Sequence, residues 1–308
     1  MEKKYKRRWG DKRDGRLIRG DELDTNHFIM PIVWPNRTDC EAFISETIDL
    51  TAVDRFIKEK NREATGSKYS LFALVLAALG KLFVNRPKMN RFYRNKRLYE
   101  RYEISIGFIV KKSMTDDGAE ALAKIIIDPE DTLDTVVEKV RKEVEFCRSE
   151  AMDKSSDELR ILMKFPFFIG KLVLGFMKMV DRHTAVPKSV SESDIFFKSI
   201  AVTNLGSIRL DAAYHHLSNW GTNSFFVILG EKKRRMFYDS QGNGEMKDSI
   251  EIGMTIDERI ADGFYFAKSI RMFKSYLEHP EVLELPFSSN GKADAVENKS
   301  INNGGENV

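Results

Sequence analysis

Alternation of apolar and polar residues predicts most of the strands in this chain. Within residues 103–111 the apolar side chains recur at every second position, and residues 250–256 follow a similar pattern. Such alternation is typical of a strand with one buried face. Residues 92–99 and 103–111 are predicted to form a hairpin or meander. Further strands are predicted at residues 41–49, 121–127, 195–203, 225–229 and 233–238, the last two as a strand pair.

Apolar residues spaced three and four positions apart predict the helices. Residues 131–152 form a long amphipathic pattern, whereas residues 69–84 are apolar on all sides and therefore predict a buried helix. Two more helices are predicted at residues 51–64 and from residue 263 to about residue 277. The apolar residues 27–33 are predicted to be a short extended segment, because they end at Trp34-Pro35 and proline restricts the residue before it.

Strands and helices mix without regular alternation or internal repeat, which favours one α/β domain around a mixed sheet. With 308 residues, of which 42% are hydrophobic, the chain can bury a sizeable core. The domain is expected to span residues 27–287. A basic, flexible arm is expected at residues 1–26, and a polar, disordered tail at residues 288–308.

Charge and cysteine usage exclude some classes of protein. The net charge is +3 with 31% charged residues, a near balance that argues against a nucleic-acid binder. Cys40 and Cys147 lie far apart without metal-ligand spacing, so free thiols in a reducing compartment are expected. The first twenty residues are charged throughout and lack the apolar core of a signal peptide, so a cytoplasmic location is expected.

The longest apolar run covers residues 165–180 and contains Lys171 and Lys178. It is too short and too charged for a spanning helix, so a buried or lid-like helix is expected. The alternative is an interfacial helix that lies on a membrane or lines a pocket for an acyl chain. Residues 1–20 carry nine Lys or Arg and form either a solvated arm or an anchoring one. Together, residues 1–20 and 165–180 are the candidate contact with membrane or lipid.

A polar turn within residues 255–270, TIDERIADGFYFAKSI, joins the last predicted strand to the last predicted helix. Glu258 precedes Asp262 and Gly263 by one helical turn, and polar residues held at the end of a rigid element are well placed for chemistry. The turn resembles the His-x-x-x-Asp-Gly signature of chloramphenicol acetyltransferases and dihydrolipoyl acyltransferases, with Glu258 at the position of the His. Other blocks resemble the family in the same order: ISIGFIVKK…GAEALAKIII from residue 104, AVTNLG from residue 201, NSFFVILG from residue 223 and LEHP from residue 277.

This resemblance covers roughly residues 27–285 and implies a two-layer α/β sandwich around a mixed sheet. It also implies a homotrimer with active sites between subunits and transfer of an acyl group from a coenzyme A thioester to a small-molecule acceptor. Thr203 stands at the position of the hydroxyl that donates to the oxyanion, and Asp262 and Gly263 keep the turn. Glu258 is either the catalytic base or a replacement that indicates loss of catalysis. As a base, its carboxylate would match the pKa of a thiol less well than imidazole does.

The resemblance also implies a substrate channel, for which Asn204, His215, His216 and Gly263 are the candidate residues. Asn204 follows Thr203, and the His215-His216 pair in DAAYHHLSNWG is expected near this channel, where it is a candidate for a borrowed base or a surface feature. No metal site is predicted, because no carboxylate stands at ligand spacing. Residues 155–193 resemble an insertion relative to the family. No lipoyl domain is recognised, which favours a free-standing acyltransferase; the alternative is a catalytically silent binding or scaffold protein on the same fold.

Overall fold

The computed structural model describes residues 7–289 apart from residues 65, 113–114, 116–117, 119 and 150–165. The strands are β1 Gly15–Leu17, β2 Glu41–Asp49, β3 Arg91–Arg94, β4 Arg97–Arg101, β5 Ile104–Lys111, β6 Glu120–Ile127, β7 Ile200–Asn204, β8 Phe225–Leu229, β9 Lys233–Tyr238 and β10 Gly244–Asp257. The α-helices are α1 Thr25–Val33, α2 Thr51–Glu63, α3 Leu71–Asn85, α4 Leu133–Arg148, α5 Phe167–Thr184, α6 Lys188–Ser193 and α7 Gly263–Glu278.

A mixed sheet with the strand order β2-β10-β8-β7-β5-β6 forms the centre of the protein. Strand β7 is parallel to both of its neighbours, and the other pairs are antiparallel. The long β10 also pairs through its first residues with β9. Helices α2, α3, α4 and α7 pack on one face of this sheet and enclose the main core with it. The α/β sandwich with a mixed sheet that the sequence predicts is confirmed.

The other face of the sheet, called here the open face, is covered only in part. A small apolar cluster of Ala201, Leu217, Phe226 and Ile228 lies on it beneath the segment that follows β7. That segment approaches the sheet so closely that a Cβ on Gly253 would lie 2.3 Å from the carbonyl oxygen of Ala213. On the edge strand β2, the Phe43 side chain remains 54% exposed on this face.

Several predicted elements need correction. Residues 27–33 are not extended but belong to α1, because Asp24 caps the helix by accepting from the backbone N–H of His27. Residues 92–99 are not one strand: β3 and β4 form a hairpin whose turn residues Asn95 and Lys96 have φ of 48° and 60°. Strand β5 pairs instead with β6 and β7, in the large sheet.

Two further differences concern the second half of the chain. Strands β8 and β9 do not form a pair, because β10 lies beside β8 with its C-terminal residues and beside β9 with its N-terminal residues. The strand predicted from residue 195 begins at Ile200, after a 3₁₀ turn at Ile195–Phe197 that the Asp194 side chain caps.

The N-terminal segment is partly ordered against the domain. Strand β1 pairs with β4, and Ile18 is buried beside it, so residues 15–18 differ from the flexible arm expected there. Residues 1–6 lie outside the described part, as does most of the expected tail. Of the expected insertion, residues 155–165 also lie outside it, and the described remainder contains α5 and α6.

Candidate active site

The polar turn after β10 begins an α-helix through a side-chain cap. Strand β10 ends at Asp257, and Glu258–Ile260 forms a 3₁₀ turn. The Asp262 carboxylate then accepts a hydrogen bond of 2.8 Å from the backbone N–H of Tyr265, and α7 starts at Gly263. Asp is a preferred N-cap residue because its side chain satisfies an N–H that the helix leaves free. Asp262 therefore organises the corner on which Glu258 stands.

The residues on either side of Glu258 point into the protein, whereas Glu258 itself is exposed. Asp257 accepts two hydrogen bonds from the Arg259 guanidinium, both of 2.8 Å, and both side chains are buried. Burial opposes the charge on Arg259, but the hydrogen bonds and the charge of Asp257 raise its pKa. The guanidinium also donates to the carbonyl oxygen of Trp34 at the end of α1. This internal pair holds the turn, so Glu258 does not pair with Arg259.

A cavity of about 930 Å³ lies in front of Glu258. It is bounded by α1, the edge strand β2, the turn and the first half of α7. Its walls are mainly apolar, and its lining residues include Ile29, Met30, Val33, Trp34, Ala42, Ile44, Ala261, Phe266 and Ile270. Glu258 thus presents its carboxylate at an apolar cavity large enough for a small molecule.

The charged residues of this cavity are mostly acidic. Asp24, Glu46, Glu258 and Asp262 contribute carboxylates to the lining, against the single guanidinium of Arg271. Phosphate groups are bound by clusters of cations and free N–H groups, so this lining does not fit the phosphates of coenzyme A. It suits an apolar ligand with a polar or cationic end.

The pair of Asp24 and His27 belongs to the wall of the cavity and was missed by the sequence analysis. The ring Nδ1 of His27 lies 2.7 Å from Asp24 Oδ2, and the ring is 7% exposed. Burial alone would raise the pKa of Asp24, but the hydrogen bonds from His27 lower it. The ring Nε2 is buried and has no hydrogen-bond partner among the described residues, so the contact with Asp24 is what fixes the ring at the start of α1. The signal was present in the sequence as an Asp and a His three residues apart at a helix start.

Thr203 lies at the other end of the sheet from Glu258 within one chain. Thr203 pairs with Ile228, which pairs in turn with Gly253, and Glu258 lies five residues beyond Gly253, directly after the end of β10. At ~3.3 Å per residue and ~4.8 Å per strand, the two residues are separated by roughly 19 Å. One chain therefore does not bring them together.

His215 and His216 lie on the open face, as Thr203 does. The ring of His215 stacks on Phe226 with centroids 4.3 Å apart, and Phe226 pairs with Ala201, two residues before Thr203. Ring Nδ1 of His215 lies 2.7 Å from the carbonyl oxygen of His216. Because a carbonyl only accepts, Nδ1 carries the hydrogen in this contact, and in the neutral form of the ring Nε2 has the lone pair. Neither histidine lines the cavity of Glu258.

The remaining candidates follow from these positions. Asn204 ends β7 and caps the next turn by accepting from the backbone N–H of Ser207, and Gly263 is the first residue of α7. Within the described ranges, no three His, Cys, Asp or Glu side chains come together in a way that could hold a metal ion. The same ranges contain no helix that is both long and apolar enough to cross a membrane.

The fold has counterparts of known structure. A dihydrolipoamide acetyltransferase of Azotobacter vinelandii, studied for the catalytic roles of a serine, a histidine and an asparagine, is 16% identical with a TM-score of 0.57, over 87% of this chain and 95% of that one. A probable dihydrolipoamide acetyltransferase of Listeria monocytogenes is 13% identical with a TM-score of 0.55, over 88% and 95%.

A chloramphenicol acetyltransferase is 13% identical with a TM-score of 0.52, over 85% of this chain and 99% of that one. No model of a known protein family matches the chain, and no curated protein sequence matches it. At such identities the likeness concerns the fold: this chain has the fold of dihydrolipoamide acetyltransferase cores and of chloramphenicol acetyltransferase.

Proposed function

We propose that the protein transfers an acyl group from a coenzyme A thioester to a small-molecule acceptor, at a site made by two copies of the chain. The observation that carries this proposal is the corner at Glu258, where a capped helix and a buried ion pair present one side chain at an apolar cavity. In the similar Azotobacter enzyme the named histidine and asparagine have the same spacing as Glu258 and Asp262.

Two copies are required because Thr203 and Glu258 lie at opposite ends of the sheet in one chain. A homotrimer would bring the open face of one copy, with Thr203 and His215, to the Glu258 cavity of the next. Exposed apolar side chains on the open face, among them Phe43 and its neighbour Tyr214, support such an interface. Sedimentation equilibrium tests this: a monomer at assay concentration would contradict it.

The acceptor is proposed to occupy the Glu258 cavity, whose lining is apolar and acidic. The thioester would then approach from the open face, where β8 ends beside Asn204 and the basic run Lys232–Arg235 follows. Three of these cations already pair with carboxylates, Lys232 with Asp54, Lys233 with Asp211 and Arg235 with Glu251, so the phosphates of coenzyme A would compete with those ion pairs. A cationic run is still better suited to phosphates than the acidic cavity is.

The chemistry requires a base and an oxyanion donor. The acceptor loses a proton to Glu258 or to Nε2 of His215 and attacks the thioester carbonyl carbon. The Thr203 hydroxyl donates a hydrogen bond to the resulting oxyanion. When the tetrahedral intermediate collapses, the carbon–sulfur bond breaks and the thiolate of coenzyme A takes up the proton.

Release of free coenzyme A from acyl-CoAs of increasing chain length, with candidate acceptors, tests the proposal. Glu258→Gln and His215→Gln are expected to identify the base, since loss of a general base lowers the rate by about 10²–10⁴-fold. Glu245→Gln is the matched control, because Glu245 is an exposed carboxylate elsewhere on β10. Absence of turnover in the wild type and in Glu258→His would overturn the proposal.

The second candidate is a catalytically silent binding or scaffold protein. It is favoured by Glu258 itself, which is exposed and, among the described residues, is oriented by no hydrogen bond or ion pair. Preorganised contacts normally hold a catalytic side chain in position. Coenzyme A release that disappears in Glu258→Ala would refute this candidate.

A further inference from the structure

Helix α5 presents an apolar stripe to solvent along most of its length. Phe168, Leu172, Phe176 and Met179 follow one another at spacings of four, four and three residues, so they share one face of the helix. They are 62%, 69%, 61% and 51% exposed, and Phe167 before them is 88% exposed. Large apolar side chains scattered singly on a surface are ordinary, but a continuous stripe of this kind marks an interaction surface.

The exposed charges of α5 are all positive. Lys171, Lys178 and Arg182 follow at spacings of seven and four residues and therefore lie along one side of the apolar stripe. Asp181 is the one acidic residue of the helix, and it is buried, with its carboxylate 3.1 Å from Nε of Arg94. The surface of the helix thus combines an apolar stripe with a row of cations that has no acidic partner among the described residues.

The N-terminal segment adds a tryptophan and more cations at the C-terminal end of α5. Lys12 donates to the carbonyl oxygen of His183, and Arg13 donates to that of Val186, so this segment is attached where the helix ends. Trp9 is 89% exposed, next to the exposed Arg8. Tryptophan beside Lys and Arg is enriched at the boundary between lipid and water.

We propose that α5 and residues 7–13 dock the protein onto the surface of a membrane that contains anionic lipids. The apolar stripe enters the boundary of head groups and acyl chains, and Lys171, Lys178 and Arg182 bind lipid phosphates. Amphipathic helices with a basic polar side and Phe, Leu or Trp on the apolar side bind in this way, lying in the plane of the surface. The docking does not depend on the acyltransferase activity.

Charge decides between a membrane and a second copy of the chain as the occupant of this surface. A second copy that packs on α5 through the same face would bring the same row of cations opposite these, which is unfavourable. An anionic membrane supplies opposite charge over the whole length of the helix, so each Lys or Arg near the surface is attracted to it.

Sedimentation with sucrose-loaded vesicles tests the proposal on the full chain. Binding is expected to equimolar phosphatidylglycerol and phosphatidylcholine at low salt, with several-fold less binding to phosphatidylcholine alone and in high salt. The affinity of the double variant Leu172→Ser/Phe176→Ser for the anionic vesicles is expected to be lower than that of the wild type by a factor of about ten or more. Lys171→Gln/Lys178→Gln is expected to lose the preference for anionic vesicles. Tyr238→Ser is the matched control, since Tyr238 is 72% exposed on β9, away from α5.

Melting curves and sedimentation velocity of each variant complete the experiment. Loss of vesicle binding in a variant that keeps the melting temperature and the oligomer size of the wild type supports the proposal. The proposal is overturned if the wild-type protein does not bind anionic vesicles at low salt. It is also overturned if the Leu172→Ser/Phe176→Ser variant binds them as strongly as the wild type does. A smaller oligomer in that variant assigns the stripe to a contact between copies and also overturns it.

Discussion

The carboxylate of Asp257 and the guanidinium of Arg259 form a two-point ion pair on either side of the exposed Glu258, with Nε–Oδ1 and Nη2–Oδ2 distances of 2.8 Å. Arg37 adds a second guanidinium, with its Nε 3.3 Å from Asp257 Oδ2. One carboxylate thus balances two buried cations from different parts of the chain. The orientation of the candidate catalytic corner depends on it.

Asp257→Ala is therefore expected to destabilise the protein by about 3–5 kcal/mol, because it leaves two guanidinium groups buried without their partner. Chemical denaturation monitored by tryptophan fluorescence measures the change. Asp248→Ala is the control, since Asp248 is a half-exposed carboxylate on the same strand, in a surface ion pair with Lys232. A loss of less than 1 kcal/mol in Asp257→Ala would show that the corner does not depend on the pair.

Asp262→Ala is expected to cost about 1 kcal/mol, through loss of the hydrogen bond to the backbone N–H of Tyr265 at the start of α7. Asp262→Ser is expected to recover most of this stability, because serine also caps helices. Thermal melts of the two variants make the comparison. Equal stability of the Ala and Ser variants would contradict a capping role.

Gly253→Ala is expected to destabilise the protein by about 1–3 kcal/mol, as overpacking does. The new Cβ would lie 2.3 Å from the carbonyl oxygen of Ala213, and the segment that carries His215 would have to move. Gly263→Ala is the matched control, because nothing lies within 4 Å of its Cβ position. It is expected to leave stability unchanged or to raise it by about 0.4–1 kcal/mol. Denaturant melts in which the two variants lose equal stability would contradict the close approach.

Cys40 is expected to resist alkylation in the folded protein. Burial raises the pKa of its thiol to about 11, against the opposing effect of Arg259, and the side chain is 1% exposed. The thiolate is the reactive form, so it is scarce at neutral pH. Mass spectrometry after brief treatment with iodoacetamide should detect modified Cys40 only once the protein is denatured. Rapid labelling of the native protein at neutral pH would refute this.

Lys198 is expected to make stability depend on pH in the alkaline range. Burial lowers its pKa from 10.5 to about 8, with further lowering by Lys124 and Arg101, although its ammonium donates to the carbonyl oxygens of Ser191 and Glu192. Between about pH 8 and pH 10.5 the unfolded chain keeps a proton that the folded chain has lost, so this contribution to stability rises with pH.

The Lys198→Met variant isolates this effect from other titrating groups. Its stability relative to the wild type is expected to be most favourable below pH 8 and to fall by up to ~3 kcal/mol as the pH rises to 10.5. Urea denaturation at several pH values measures the difference. A difference independent of pH would contradict the lowered pKa.

The local pattern of apolar and polar residues is sufficient to predict those helices and strands whose burial follows a single periodicity. The helix in α3 and the strand in β2 were predictable because packing in the protein uses the same residues that the pattern marks. It failed at α1, where the capping side chain of Asp24 and the packing of His27 favour a helix despite the apolar, proline-containing sequence. The local pattern also does not predict which strands lie beside β8, because strand pairing is a contact between segments that are distant in the chain.

The sequence by itself determined the strand–turn–helix corner, since β10, the cap at Asp262 and α7 are set by neighbouring residues. It also determined that one apolar stretch in residues 165–180 carries lysines. Only the tertiary structure decided that Asp257, rather than Glu258, pairs with Arg259, and that Thr203 and Glu258 lie at opposite ends of one sheet. The physical reason is that strand direction and burial depend on contacts between residues far apart in the chain, which no local pattern encodes.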